Sequence, residues 1–347
     1  MGYKDTKYKK TLHQQAYEKL SGMQAFGESK KAAIKNGTDK DKIFSFNTYK
    51  TYWKHTKYFV KYVNRYHPEC RSLKNARSYI NEWLQYRTDY VNDKGEHLSA
   101  WTIQTEAMAL YKLYGIEPDD PEYFEAPVRK RADIKRSRLS CERDKDFSVT
   151  NNDEFIKFCR ATGLRRSGIE ETKGKDLVEY TRIAKEVVRL LGKQNDTELS
   201  KREKNILSMC KDAMNFTDVS HFVYVKEKGG RERLAPVVGP NAQLVIDRYK
   251  NTGNDEKVWL HVPSHADIHS YRGDYATAIY KLYARPIDDI PYDKFHPGLG
   301  RAYQSQVYCC RKDEKGKKLD KTAMLLASKA LGHNRIEIVA NNYLRGI

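Results

Sequence analysis

The chain has 347 residues, a length that suits two domains, and it carries 64 Lys and Arg against 46 Asp and Glu, for a net charge of +18. A mean hydropathy of −0.82, and the lack of any apolar run near the roughly 20 residues of a membrane span, argue against a membrane protein. The opening MGYKDTKYKK lacks the apolar core of a secretory signal, and the six cysteines form no CxxC pair, so neither a secreted disulfide scaffold nor zinc chemistry is expected.

The 25 tyrosines separate the chain from basic disordered tails, because they supply apolar matter for real cores. The charge points to a polyanionic partner, nucleic acid before others. Residues 1–25 read as a basic arm or weakly amphipathic helix. Residues 26–120 read as a helical domain with three strong segments. In the first, Tyr49, Tyr52, Trp53, Thr56, Phe59, Val60 and Val63 share one face. Lys50, Lys54, Lys57 and Lys61 repeat at the same spacing, about 130° around the helix. One side can pack while the other meets phosphates, although a solvated lysine face would look the same. The second segment centres on Tyr79, Ile80, Trp83, Tyr86 and Tyr90, and the third runs from Leu98 to Tyr114.

Residues 121–146 read as a basic linker able to wrap a duplex. The acidic, proline-rich EPDDPEYFEAP gives way to Arg129, Lys130, Arg131, Lys135, Arg136 and Arg138, with no apolar period. A second domain, 147–347, opens with NNDEFIKFCRATG, a helix stopped by Gly163. Helices follow at 176–192, 198–213, 240–251, 267–284, 320–332 and 335–344. HFVYVKEKGGRERLAPVV alternates on both sides of Gly229-Gly230 as a β-hairpin. QVYCCRKDEKGKKLD reads as a smaller hairpin, with Cys309 and Cys310 on opposite faces.

Four short pieces carry chemistry. Ala161-Thr-Gly-Leu-Arg165 places a guanidinium just after a helix stop, where its planar fork suits phosphate oxygens. Lys228 lies at the hairpin tip, where it can reach into a groove. Lys226 shares its strand face, and the choice between them stays open. His269 and Arg272 stand at i and i+3 on one helix face. Leu331-Gly-His333 ends one helix, and Tyr343 projects from the next. His261, His265 and His269 recur every four residues. Pro263 and Ser264 interrupt the series and no carboxylate or cysteine completes a ligand set, so no metal is expected.

TGLR, the basic hairpin, HxxR and LGH…Y, in this order and near these spacings, resemble the tyrosine recombinases, or phage-type integrases. The ten residues from His333 to Tyr343 are similar to the integrases of conjugative transposons. The resemblance implies a mainly α fold: an N-terminal helical core-binding domain and a mostly helical catalytic domain with a small antiparallel β-sheet. The two would clamp a duplex from opposite sides. It implies a site-specific DNA recombinase that cleaves and rejoins DNA through a 3′-phosphotyrosyl intermediate, for integration or excision of a mobile element. Tyr343 would be the nucleophile, Arg165 and Arg272 the clamp on the non-bridging oxygens, and Lys228 the acid for the 5′ oxygen. His269 would assist proton transfer, and His333 would donate a further hydrogen bond to the phosphate. No cofactor, metal or ATP is implied.

The implied partner is a double-stranded recombination site, bound by a tetramer on two such sites with accessory DNA-bending or directionality proteins. The implied location is the bacterial cytoplasm, at the nucleoid, away from membranes. A non-catalytic DNA binder on the same fold and a type IB topoisomerase-like enzyme are the alternatives. The chain departs from the family pattern at Gly168, where an acidic residue is usual and Glu170 or Glu171 is the available substitute. It departs again at Gly273, where His is common, in its long 176–215 segment, and in the few residues after Tyr343.

Overall fold

A computed structural model describes residues 10–129, 147–227, 230, 232–294, 303–310, 314–333, 335–344 and 347. Its secondary structure is mainly helical with small antiparallel sheets. The chain divides into two compact units, Met1–Asp133 and Ile134–Ile347. No helix among the described residues is long and apolar enough to cross a membrane.

The first unit is helical: α1 (Leu12–Gly22), α2 (Lys30–Lys35), α3 (Phe46–Tyr66), α4 (Leu73–Ala76), α5 (Ile80–Asp89) and α6 (Ala100–Tyr114). Thr11, Ser29, Ser45, Ser72 and Ser99 start five of them, each side-chain oxygen accepting a first-turn N–H. Gly115 ends α6 with φ +70°, a left-handed cap that glycine takes without strain. The core draws Tyr49, Phe59, Val60 and Val63 from α3, Ile80 and Leu84 from α5, and Leu110 and Leu113 from α6. Each such side chain contributes about 1.5–3 kcal/mol on burial.

The apolar face expected on α3 is the buried one, joined by Tyr62, with Tyr52 and Trp53 only half-buried. Lys50, Lys54 and Lys61 are exposed, and Lys57 lies half-buried with its ammonium 5.7 Å from the Trp53 ring centre. Helix α2 was not expected, because its six residues bury only Ala33 and carry no readable period.

The stretch expected to begin the linker is fastened to this unit. Tyr123 packs on Tyr111, the Tyr111 hydroxyl donates to the Phe124 carbonyl at 2.9 Å, and Gln104 donates to the Pro127 carbonyl at 2.8 Å. Arg129 lies over the Trp101 ring. Lys130, Arg131, Lys135, Arg136 and Arg138 lie outside the described residues.

The second unit holds α7 (Asp153–Thr162), α8 (Arg166–Glu171), β1 (Leu177–Glu179), α9 (Tyr180–Asp196), α10 (Lys201–Ala213), β2 (His221–Lys226), β3 (Glu232–Pro236) and α11 (Ala242–Lys250). Then come α12 (Ile268–Tyr283), β4 (Val307–Cys309), β5 (Lys318–Asp320), α13 (Lys321–Ala330) and α14 (Ile336–Asn342). The sheet order is β1-β2-β3, antiparallel throughout, with Val223 opposite Ala235 and Lys226 opposite Glu232. β4 and β5 pair separately.

Both faces of the larger sheet are covered. Val223, Val225 and Ala235 join a core with Phe155 and Phe158 of α7 and Val245 of α11. Phe222 and Leu234 join a second core with Leu207 of α10, Ile279 of α12 and Ala323 of α13. β1 displaces the expected start of α9 to Tyr180, because three residues carry no alternation to read. Cys309 is exposed and Cys310 buried, as the adjacent pair implied.

Candidate active site

Arg165 follows two local devices. Helix α7 ends at Gly163, whose φ of +58° favours glycine. A Cβ there would lie 2.1 Å from the Tyr275 ring, so the residue also permits α7 to touch α12. Arg165 is then the residue preceding α8, with an extended backbone. The next residue, Arg166, donates to the Pro263 and Ser264 carbonyls at 2.8 and 3.1 Å, which fixes the turn entering α12.

Asp267 caps α12, accepting from the Ser270 N–H at 3.1 Å. This places His269 in the first turn and Arg272 one turn on, inside the protein. Arg272 is fully buried and donates to the Gly163 and Leu331 carbonyls, linking the ends of α7 and α13. Its Nε has no hydrogen-bond partner among the described residues. Burial pushes its pKa down to about 9, with Arg233 and Arg165 lowering it further and Tyr343 opposing. It is still a cation at neutral pH.

After α13, Gly332 turns the chain with φ +72°, and Ser328 closes the loop by donating to the His333 carbonyl at 3.1 Å. Tyr343 sits one residue past α14 rather than on it, its N–H donating to the Val339 carbonyl at 2.9 Å. The ring is 6 % exposed. Its hydroxyl is 3.3 Å from His333 Nε2, in a hydrogen bond whose direction follows the imidazole tautomer. The His269 ring lies 5.4 Å from the Tyr343 ring, and the Arg272 guanidinium lies 6.0 Å from it on the cation–π side.

Arg165, His269, Arg272, His333 and Tyr343 are thus brought together from distant segments. Lys228 lies outside the described residues, and Lys226 is exposed at the end of β2. Glu170 and Glu171 are the acidic residues nearest Gly168. Both are exposed, and Glu171 lies 3.7 Å from Lys257. The carboxylate that meets Arg165 is Glu227, buried just after β2. Its other oxygen accepts from Arg233 Nη2 at 2.9 Å and lies 3.8 Å from Arg272 Nη1. Arg233, 5 % exposed, also donates to the Ala330 carbonyl. Burial pushes its pKa down to about 10.

Sequence reading missed Glu227 and Arg233. One signal was present: Arg233 alternates in phase with Ala235 and Val237, which marks a cation on a core-facing strand position. Such a cation requires a partner. Among the described residues no group of three or more His, Cys, Asp or Glu is placed to hold a metal ion.

No known family model matches the chain, and no curated protein matches it either.

Proposed function

We propose that the protein is a site-specific DNA recombinase of the tyrosine type. What carries the reading is the Tyr343 hydroxyl, held 3.3 Å from His333 Nε2 beside a buried cationic cluster that contains Arg165 and Arg272. A free phenol has a pKa of about 10, so it attacks at neutral pH only if its proton leaves during attack.

Tyr343 Oη forms the new bond to phosphorus as the bond to the 5′ oxygen breaks. The phenolic proton passes to a neighbouring imidazole. His333 stands nearest, so it fits this transfer as well as the donation to phosphate first expected of it, with His269 supporting. Lys228 returns a proton to the departing 5′ oxygen. Arg165 and Arg272 meet the charge that grows on the non-bridging oxygens. The phosphotyrosyl bond keeps the diester energy, so a second 5′-hydroxyl can attack, release Tyr343 and reseal the strand. Neither ATP nor a metal enters this balance. The target is double-stranded DNA, engaged by four subunits on two sites, and the lysine face of α3 supplies phosphate contacts in the first unit.

The test uses nicked suicide duplexes made from DNA flanking the protein's own gene. The wild type should leave a covalent adduct in a denaturing gel. Tyr343→Phe keeps the ring and its packing, so it should bind equally and leave none. An adduct persisting in Tyr343→Phe would falsify the nucleophile. Tight binding with no wild-type adduct would favour the non-catalytic binder, and strand exchange between two sites separates a recombinase from a topoisomerase.

A further inference from the structure

We infer that Glu227 and Arg233 are a positioning pair for the guanidinium clamp, so that the hairpin supplies the acidic residue missing at Gly168. The inference rests on the recombinase reading for its chemistry but not for its geometry.

Glu227 is the shared acceptor of the cluster. One oxygen pairs with Arg165, and the other takes Arg233 at 2.9 Å and lies 3.8 Å from Arg272. Arg165 is partly exposed, with 34 % of its side chain open, and the Glu227 carboxylate meets its guanidinium from the buried side. That carboxylate in turn accepts from Arg233.

Arg233 has a second hold. Its other terminal nitrogen donates to the Ala330 carbonyl at the end of α13. The next carbonyl, of Leu331, takes Arg272. Gly332 then leaves the space that Arg233 needs: a Cβ there would lie 2.9 Å from Arg233 Cδ and 3.2 Å from Glu227 Oε2. Arg233 therefore joins the hairpin to the loop that carries His333. The planar guanidinium takes the carboxylate and the carbonyl on two separate nitrogens in a fixed fork, which a lysine ammonium does not reproduce.

A Cβ at Gly168 would meet Val225 Cγ1 at 3.2 Å, a tight contact that Val225 would have to relieve by a few tenths of an ångström, so α8 lies close against β2. The carboxylate that reaches Arg165 comes from the strand side, at Glu227 just after β2.

The experiment compares Glu227→Gln, Arg233→Met, Arg233→Lys and the double variant Glu227→Gln/Arg233→Met with the wild type. Adduct formation is followed in a single turnover on the same nicked duplex. The wild type and Tyr343→Phe decide the recombinase reading by themselves, so the new variants judge this inference separately. Glu227→Gln keeps the shape but leaves three guanidiniums without their carboxylate, so stability should fall, and its rate is compared per folded, DNA-bound molecule. Its adduct rate should fall about 10²-fold, the cost of displacing a reacting group by about 1 Å. Arg233→Met should lose a similar factor. The double variant should be no slower than the slower single by more than about twofold, because both act through one pair. Arg233→Lys keeps the charge, loses the fork and should stay slow.

A second measurement needs no activity. The Arg165 Nε–Hε signal in a proton–nitrogen NMR spectrum should show restricted guanidinium rotation in the wild type. It should show fast averaging in Glu227→Gln and Arg233→Met. Full rates in Arg233→Lys, additive losses in the double variant, or an Arg165 signal unchanged by Arg233→Met would each overturn the inference.

Discussion

The two units each bury a glutamate, and they surround it differently. In the first, Glu106 is 1 % exposed and takes one arginine in a fork, with Arg87 Nε and Nη2 at 3.0 and 2.9 Å from its two oxygens. His55 Nδ1 stands 3.4 Å away, and the Arg87 guanidinium lies over the Trp83 and Tyr90 rings. In the second, Glu227 faces Arg165, Arg233 and Arg272. Around Glu106 one permanent cation meets one anion, and the account closes. Around Glu227, among the described residues, three guanidiniums share one carboxylate. That surplus is a cost to folding alone, and an entering phosphate would offset it. Buried charge is therefore not one kind of feature here: the forked pair around Glu106 serves the fold, and under the proposed recombinase reading the cation-rich cluster around Glu227 would receive a phosphate.

The largest effects should come from breaking each set. Arg87→Met leaves Glu106 buried without its fork and should cost about 3–5 kcal/mol in denaturant unfolding, with the adduct rate per folded molecule unchanged. Arg272→Lys should do the reverse in kind. Its adduct rate should fall about 10²–10³-fold while DNA binding persists, since the fork acts on transition-state charge. If Arg87→Met slows chemistry as much as Arg272→Lys, the contrast between the two sites is wrong.

A smaller effect should come from filling the surplus site. Orthovanadate, a tetrahedral phosphate mimic that becomes five-coordinate when an oxygen nucleophile adds, should stabilise the second unit alone, by about 2.7 kcal/mol at 100 times its dissociation constant. Hydrogen exchange in α12 and α13 should slow, and exchange in α5 and α6 should not. Equal protection of both units would remove the receptor reading.

The smallest effect is in pH. Burial pushes Glu106 up, but the facing His55 imidazole and the Arg87 fork outweigh it and hold the carboxyl below its ordinary 4.5. The folded state then binds fewer protons than the unfolded one. Its contribution is complete above pH 4.5 and is lost as pH falls through the lower folded value. Arg272 has the opposite placement. Its folded pKa of about 9 lies below the ordinary 12.5, so its penalty is constant below 9 and eases only as pH rises beyond. Between these limits neither group changes stability. Normalised hydrogen exchange should show α5 and α6 opening first on acidification, and Glu106→Gln should remove that pH dependence.

Much of the candidate site was legible in the chain. His269 and Arg272 share a helix face because 3.6 residues make a turn. Arg165 was found through the glycine that stops α7, and Tyr343 through its distance from His333. These are local relations, and local geometry follows from spacing. The same holds for the lysine column and apolar face of α3, and for the hairpin around Gly230.

Other features come from how the chain returns upon itself. Glu227 meets Arg165 across 62 positions of sequence, and Arg233 reaches Ala330 across 97. No period connects such residues, and which of the many glutamates and arginines pair depends on which backbones approach. Gly163 against Tyr275, Gly168 against Val225 and Gly332 against Arg233 set those approaches. The sequence by itself determined the longer helices, the hairpin and the order of the proposed site residues, because each is written within a few turns or strand repeats. Only the tertiary structure decided that the carboxylate against Arg165 is Glu227 and that Arg233 meets its other oxygen. Their partners are chosen by backbone proximity and by the cost of leaving a buried charge unpaired.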